Sequence, residues 1–348
     1  TLAKMTAHIL ALLGIILGTL TVLSANHWLT AWLGLELNMI SILPMITKQN
    51  HPRSTEAATK YFLIQALAST LLLLSSTLNA MKTGSWDIIQ LDDKLSYTIM
   101  ICSLIMKMGA APFHLWLPEV MQGCTMNTAL LISTWQKIAP ITLLYMISCP
   151  AQMKITLPLG MLSILVGGWG GINQTQLRKM MAYSSIAQLG WTIATISIAP
   201  NIALINIMIY MTTLVPLFLL LATTPSKDLK SMTTIWTYSP VTAVVIMMLL
   251  LSMTGLPPLA GFTPKLLILN ELIKHKLTVQ ATIMALSSLL SLVFYLRAMF
   301  LLIATMTPAT TMTPALWRFS PHHNKIAAIM TPIALFNITL LPYLLELT

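Results

Sequence analysis

Charge is what this chain has least of. Only 8% of its 348 residues are Asp, Glu, Lys or Arg, where soluble domains carry about 25%. That scarcity excludes a water-soluble globular domain, and apolar runs long enough to cross roughly 30 Å of hydrocarbon follow one another throughout. Cysteine is equally sparse: Cys102, Cys124 and Cys149 stand too far apart for a metal, iron–sulfur or disulfide spacing. The sequence also lacks a haem-like His pair, a P-loop, a nucleophile elbow and a metal-ligand cluster. A bound redox centre, nucleotide chemistry and hydrolysis therefore have no motif to rest on. The formal charge of +10 is scattered over short loops rather than gathered beside aromatic residues, which argues against nucleic acid as a partner. No cleavable signal or Arg-rich transit segment is read before the first apolar run, at about Ala7.

What is present is hydrophobic, 56% of all residues, and it falls into eleven stretches. They lie at about 7–25, 28–46, 61–80, 95–121, 128–149, 156–172, 180–199, 202–222, 239–273, 278–304 and 325–346. The pattern predicts an all-α polytopic membrane protein, one membrane domain over 1–348. Turn formers and charges separate the stretches, as in the runs from Lys48 and from Pro225 and the Pro- and Thr-rich segment near Thr307. An odd number of crossings puts the termini on opposite faces. Ten basic residues (Lys4, Lys48, Arg53, Lys60, Arg178, Lys179, Lys227, Lys230, Arg318, Lys325) then share the N-terminal face. Five (Lys82, Lys94, Lys154, Lys274, Lys276) share the other, with Asp87, Asp92 and Asp93. The positive-inside bias places the N-terminus on the cytoplasmic or matrix side.

Two stretches are interrupted. The fourth contains Pro112 and Pro118, and the ninth holds Gly255, Pro257, Pro258 and Gly261. Unbroken, the ninth would reach about 52 Å at 1.5 Å per residue, too long for a bilayer. Two half-helices joined by irregular backbone fit each better, and such backbone survives at membrane depth only beside protein or a water-filled cavity. Each break carries a lysine, Lys107 and Lys265, and an offset of five crossings turns the second copy upside down. Residues 7–149 and 156–304 are therefore expected to form inverted five-helix repeats, with 325–346 as an extra helix.

A charge at the centre of a membrane helix costs roughly 2.5 to 3.5 kcal/mol on insertion scales, so each one asks for a reason. Glu36 lies near the centre of the second stretch and reads either as a proton or ion-pair site or as a structural hydrogen bond between helices. Lys107 is its natural partner, since opposite charges favour each other's ionised form and splitting the pair releases or captures a proton. The plainer reading is a lysine snorkelling from a helix end. Lys137 has about ten apolar residues on either side, beyond the reach of snorkelling, and reads as a proton carrier or a structural polar contact. Lys265 follows the break at 255–261, where unwound backbone admits water, unless it is an ordinary interfacial lysine. His114 would relay protons between Lys107 and Lys137, or simply hydrogen-bond a broken helix. Glu119, Glu271 and Arg297, nearer the ends, suit solvated or interfacial roles. The GGWGG run at 167–171 reads as close helix packing rather than a nucleotide fingerprint.

Three segments carry a resemblance: KMGAAPFHLWLPEV from Lys107, GGWGGINQTQLRKMMAYSSIAQLGW from Gly167, and LLSMTGLPPLAGFTPK ending at Lys265. Together they closely resemble the chain 2 family of antiporter-like subunits in mitochondrial NADH:ubiquinone oxidoreductase, respiratory complex I, over essentially the whole chain. The 25 Met residues and abundant Thr agree with animal mitochondrial coding. The resemblance implies inverted five-helix repeats with two broken helices, and proton translocation by the subunit. It implies that Glu36 and Lys107 form the Glu–Lys pair, that Lys137 is the central lysine and Lys265 that of the second broken helix, and that His114 falls in the proline-break motif. It further implies a mitochondrial inner-membrane location with the N-terminus in the matrix and the C-terminus in the intermembrane space. Other membrane-arm subunits and lipids would be the partners. No cofactor is expected on this chain, NADH, FMN, iron–sulfur clusters and ubiquinone being held elsewhere in the complex. The alternatives are a sodium/proton antiporter subunit and a structural scaffold whose charges lock helices together.

Overall fold

Backbone groups in hydrocarbon must satisfy one another within a segment, which for these apolar runs means helix. The computed structural model describes residues 2–47, 51–91, 93–224, 226–304 and 325–336, and the described secondary structure is helical apart from two isolated antiparallel bridges, His27 with Asp87 and Gln176 with Asp228. Lys48, Asp92, Arg318, the run near Thr307 and residues 337–346 of the last stretch lie outside the described residues.

The chain divides into two compact units, Thr1–Leu159 and Gly160–Thr348. The first holds α1 (Leu2–Leu23), α2 (Trp28–Ile46), α3 (Pro52–Thr83), α4 (Lys94–Met108), α5 (Trp116–Gly123), α6 (Met126–Ser133) and α7 (Trp135–Ile147). The long α8 (Met153–Ile172) starts in the first unit and ends in the second. The second continues with α9 (Leu177–Thr195), α10 (Pro200–Thr223), the single turn α11 (Ile235–Tyr238), α12 (Pro240–Thr254), α13 (Phe262–Lys274), α14 (Thr278–Ala304) and α15 (Lys325–Phe336). Among the described residues, seven helical segments are long and apolar enough to cross a membrane.

Local chemistry places the ends. Helix α3 begins nine residues before the third apolar stretch, because His51 caps it and Pro52 supplies the fixed φ of a first turn. The polar opening from Arg53 to Lys60 thus extends the helix where hydropathy alone suggested loop. In the fifth stretch the structure places an interruption that the sequence reading did not contain. Helix α6 stops at Ser133, Thr134 sits at φ −113° and ψ −75°, and α7 starts at Trp135.

Within the first unit α2 packs on α1, α3 and α7, α4 packs on α3 and α7, and α3 also holds α5. In the second, α10 contacts α9, α12, α13 and α15, while α14 contacts α9, α12 and α13. The glycine run works by close approach, as its composition suggested. A Cβ on Gly167 would stand 2.5 Å from the Ala187 backbone nitrogen, and one on Gly171 would stand 2.7 Å from the Phe294 ring.

Candidate functional site

Two helix junctions, the start of α7 and the middle of α2 hold the main charged residues singled out above. At the first junction α4 ends on Met108, and Gly109 at φ +76° turns the chain, its N–H donating to the carbonyls of Ile105 and Met106. Glycine tolerates this left-handed conformation, which costs other residues roughly 1–2 kcal/mol. Residues 109–115 then run irregularly to α5, through a cis Ala111–Pro112 bond. The Trp116 indole N–H reaches back to the Met106 carbonyl at 3.3 Å, and its ring meets Tyr61 edge-on at 5.7 Å. Outside, Lys60 bridges Glu56 and Glu119, both at 2.6 Å, tying α5 to α3.

Lys107 is 7% exposed, one residue before the end of α4. Gln65 of α3 donates to its carbonyl oxygen at 3.1 Å, fixing a backbone acceptor that the helix end leaves open. Glu36, half-buried on α2, acts electrostatically on Lys107. The two do not form a direct ion pair within 4.0 Å, the four such pairs among the described residues lying elsewhere. His114 is half-buried in the junction, its Nδ1 3.2 Å from the Pro112 carbonyl.

Lys137 lies in the first turn of α7, 3% exposed and three residues past the Thr134 interruption. Its backbone N–H donates to the Thr134 carbonyl at 3.2 Å, and the Thr134 hydroxyl donates to that of Leu130 at 2.7 Å. Helix α7 packs on both α2 and α4. The helices bearing Glu36 and Lys107 thus both pack on the helix bearing Lys137, within one unit.

The second junction, in the other unit, has a similar plan. Helix α12 ends at Thr254, Gly255 follows at φ +79°, and residues 255–261 lead to α13 through a cis Pro257–Pro258 bond. Lys265, 9% exposed in the first turn of α13, donates from Nζ to the Thr254 carbonyl at 2.6 Å. An ammonium thereby sits on the partly negative end of α12, where a cation is favoured. Beside it opens a cavity of about 450 Å³ that Thr254, Lys265 and Trp191 also line.

Some functional geometry escaped the sequence reading. The sequence reading singled out neither Gln65 nor Thr134. Glu119 and Glu271 are tied to Lys60 and Lys274 at 2.6 Å. Arg297, for which a solvated or interfacial role was expected, is half-buried and donates to the carbonyls of Ile172 and Gln174, capping the end of α8. Chemically, buried amines and a facing carboxylate on neighbouring helices can bind and release protons, provided water bridges them.

Residues 25–291 match the family described as NADH:quinone oxidoreductase/Mrp antiporter, transmembrane. The chain is 47% identical to the NADH-ubiquinone oxidoreductase chain 2 of Xenopus laevis over 90% of each chain. It is 48% identical to that of Varanus timorensis over 96% of each. Its fold is similar to a chain of respiratory complex I from Thermus thermophilus, with a TM-score of 0.79 at 23% identity, covering 97% of this chain and 85% of that one. A chain of the Mrp complex from Dietzia sp. gives 0.78 at 18%, covering 83% and 59%.

Proposed function

We propose that this chain, which belongs to the NADH-ubiquinone oxidoreductase chain 2 family, carries protons by way of Glu36, Lys107, His114, Lys137 and Lys265. It is a multi-pass, proton-translocating membrane-arm subunit of respiratory complex I and thus part of the H⁺-translocating NADH:ubiquinone reductase of the inner membrane. NADH, FMN, iron–sulfur clusters and ubiquinone belong to other subunits, and neighbouring antiporter-like subunits are its partners.

The observation that carries the proton route is the burial of Lys107, Lys137 and Lys265, 7, 3 and 9% exposed. Each costs a few kcal/mol to hold at membrane depth and is worth keeping only for what it does there. In this reading α4 with α5, α6 with α7, and α12 with α13 are single interrupted crossings, which with the other long helices and α15 makes eleven. Residues 7–149 and 156–304 are then the two inverted repeats, and the ten-to-five bias of loop lysines and arginines sets the N-terminus in the matrix and the C-terminus in the intermembrane space.

Moving one charge against the membrane field takes about 2.3 kcal/mol per 100 mV, so the drive arrives from neighbouring subunits. Drawing Glu36 away from Lys107 withdraws the charge that favours the ammonium, whose proton passes by bridging water and His114 to Lys137 and on toward Lys265. The return of Glu36 lets the Lys107 amine take up the next proton.

The test is Lys137→Ala in the intact complex, with proton uptake and electron transfer measured together. Uptake per electron should fall by on the order of 10²-fold, as loss of a proton-transfer group does, while the complex still assembles. Full assembly with undiminished pumping would make the charges structural and the chain a scaffold.

A further inference from the structure

The cavity beside Lys265 is lined chiefly by two helices, α13 and α14. One wall is a single stripe of α13, Leu266, Leu269 and Ile273, and the other is a stripe of α14, Ala285, Leu289 and Leu292. Both stripes follow the three-to-four-residue spacing that keeps side chains on one helix face. The helices run antiparallel, so Leu292 lies at the deep end with Lys265 and Trp191, while Ile273 and Ala285 lie toward the mouth. From Lys265 to Ile273 the groove follows eight residues, about 12 Å of helix. Its lining is mostly apolar, Asn270 and Ser288 being the polar residues along the two walls beyond Thr254 and Lys265.

The mouth is different. Ile273 accepts the backbone N–H of Lys276 at 2.9 Å, so the end of the groove is bonded directly to the turn between α13 and α14. In that turn Lys274 is neutralised by Glu271 at 2.6 Å, and Lys276, exposed, forms no ion pair among the described residues. Two residues later α14 begins, a 27-residue helix whose first N–H groups have no acceptor within the helix. An apolar slot that ends under a free cation and a helix N-terminus matches one kind of molecule, a phosphodiester headgroup with an acyl chain attached.

We propose that this groove is a phospholipid site: one acyl chain lies between α13 and α14, and the phosphate rests on Lys276 and the start of α14. The chain's end stands against Thr254 and Lys265, closing the lipid side of that ammonium to water. The site needs only that α13 and α14 lie in the membrane, so it stands or falls separately from the proton route.

The test uses the purified complex and a phosphatidylglycerol carrying a photoreactive diazirine near the end of one acyl chain. Labelling should map by mass spectrometry to α13 and α14 around Leu266, Leu289 and Leu292. Leu269→Trp, which fills the groove with another apolar side chain, should abolish it. Lys276→Glu should weaken it about fivefold, as expected for one lysine near an anionic headgroup, and should weaken labelling by a phosphatidylcholine probe less. If Leu269→Trp prevents assembly, Lys276→Glu on its exposed turn decides alone. Labelling unchanged by Lys276→Glu, labelling confined to other helices, or a photocrosslinker at position 273 that captures a neighbouring subunit would each overturn the proposal.

Discussion

The two helix junctions reach one electrostatic result by different means. At the first, Lys107 precedes the turn and lies in the last turn of α4, and Glu36 acts on it from α2. At the second, Lys265 follows the turn and reaches back across it to the last carbonyl of α12. In both, a buried cation is placed at the carbonyl end of the leading helix, where the helix dipole favours positive charge. What differs is what holds the backbone. Gln65 and Trp116 supply donors to α4 from side chains, whereas in the second junction the buried lysine is itself the donor. The second lysine is therefore tied to the backbone of α12, while at the first junction other side chains take that task.

Substitutions can break this comparison at graded cost. The most severe should be Gly261→Ala, because a Cβ there would overlap the Ser252 carbonyl oxygen, a backbone atom with nowhere to turn. A loss of about 3 kcal/mol or more is expected, read as a lower melting temperature of the assembled complex. Gly109→Ala meets the Leu117 side chain at 2.8 Å instead, at φ +76°. That side chain can move, so the cost should stay near the left-handed penalty of about 1–2 kcal/mol.

Exchanging each lysine for methionine sharpens the contrast. Lys265→Met strips the Thr254 carbonyl of its donor and should destabilise assembly by about 1–3 kcal/mol. Lys107→Met leaves the Gln65 bond to the backbone in place and removes a buried charge, so assembly should be unchanged or improved. Both should lose proton uptake. Equal assembly of the two variants would contradict the asymmetry. In the same assay Gln65→Leu should cost about 1 kcal/mol, the value of one ordinary hydrogen bond, and should act on the first junction only.

The smallest effect concerns how the leading helices start. Asp93 caps α4, accepting from the Ser96 N–H at 3.2 Å and pairing with Lys82 at 2.7 Å. The Lys82 ammonium first, and the Ser96 N–H second, hold this carboxyl below the usual carboxylate range. A depressed folded value means that the stabilisation is present above the unfolded value of about 4 and is lost as pH falls through the folded one. Helix α12 starts at Ser239, which cannot titrate in this range. Asp93→Asn should therefore lower the melting temperature slightly at neutral pH, and the difference from wild type should close as pH drops below about 4. A gap that persists in acid would mean that the carboxylate charge is not what caps α4.

Much of the candidate site was legible because charge is rare in the chain. With few charged residues, Lys107, Lys137 and Lys265 announced themselves by their apolar surroundings, and the structure finds all three buried. Glycine and proline likewise marked where α4 and α12 end, since a left-handed turn and a missing N–H are local properties. Gln65 could not be found this way, because its role depends on which carbonyl of another helix it meets. The Thr134 interruption left no glycine or proline at the point itself and was equally invisible. The partners of Arg297 were hidden for the same reason: nearness to a helix end says nothing of a second helix end waiting within its reach.

By itself, then, the sequence determined the material and the punctuation: apolar helices, their number of candidate stretches, the places where backbone must turn, and the identity of the few groups able to hold a proton. These follow from transfer energies and dihedral preferences, which act within a segment. Only the tertiary structure decided which carbonyl each buried donor satisfies, that Glu36 acts on Lys107 without a direct ion pair, and that Lys265 bonds the end of α12. Those contacts join residues far apart in the chain, and hydrogen bonds and electrostatic reach depend on distances of a few ångströms that no local pattern encodes.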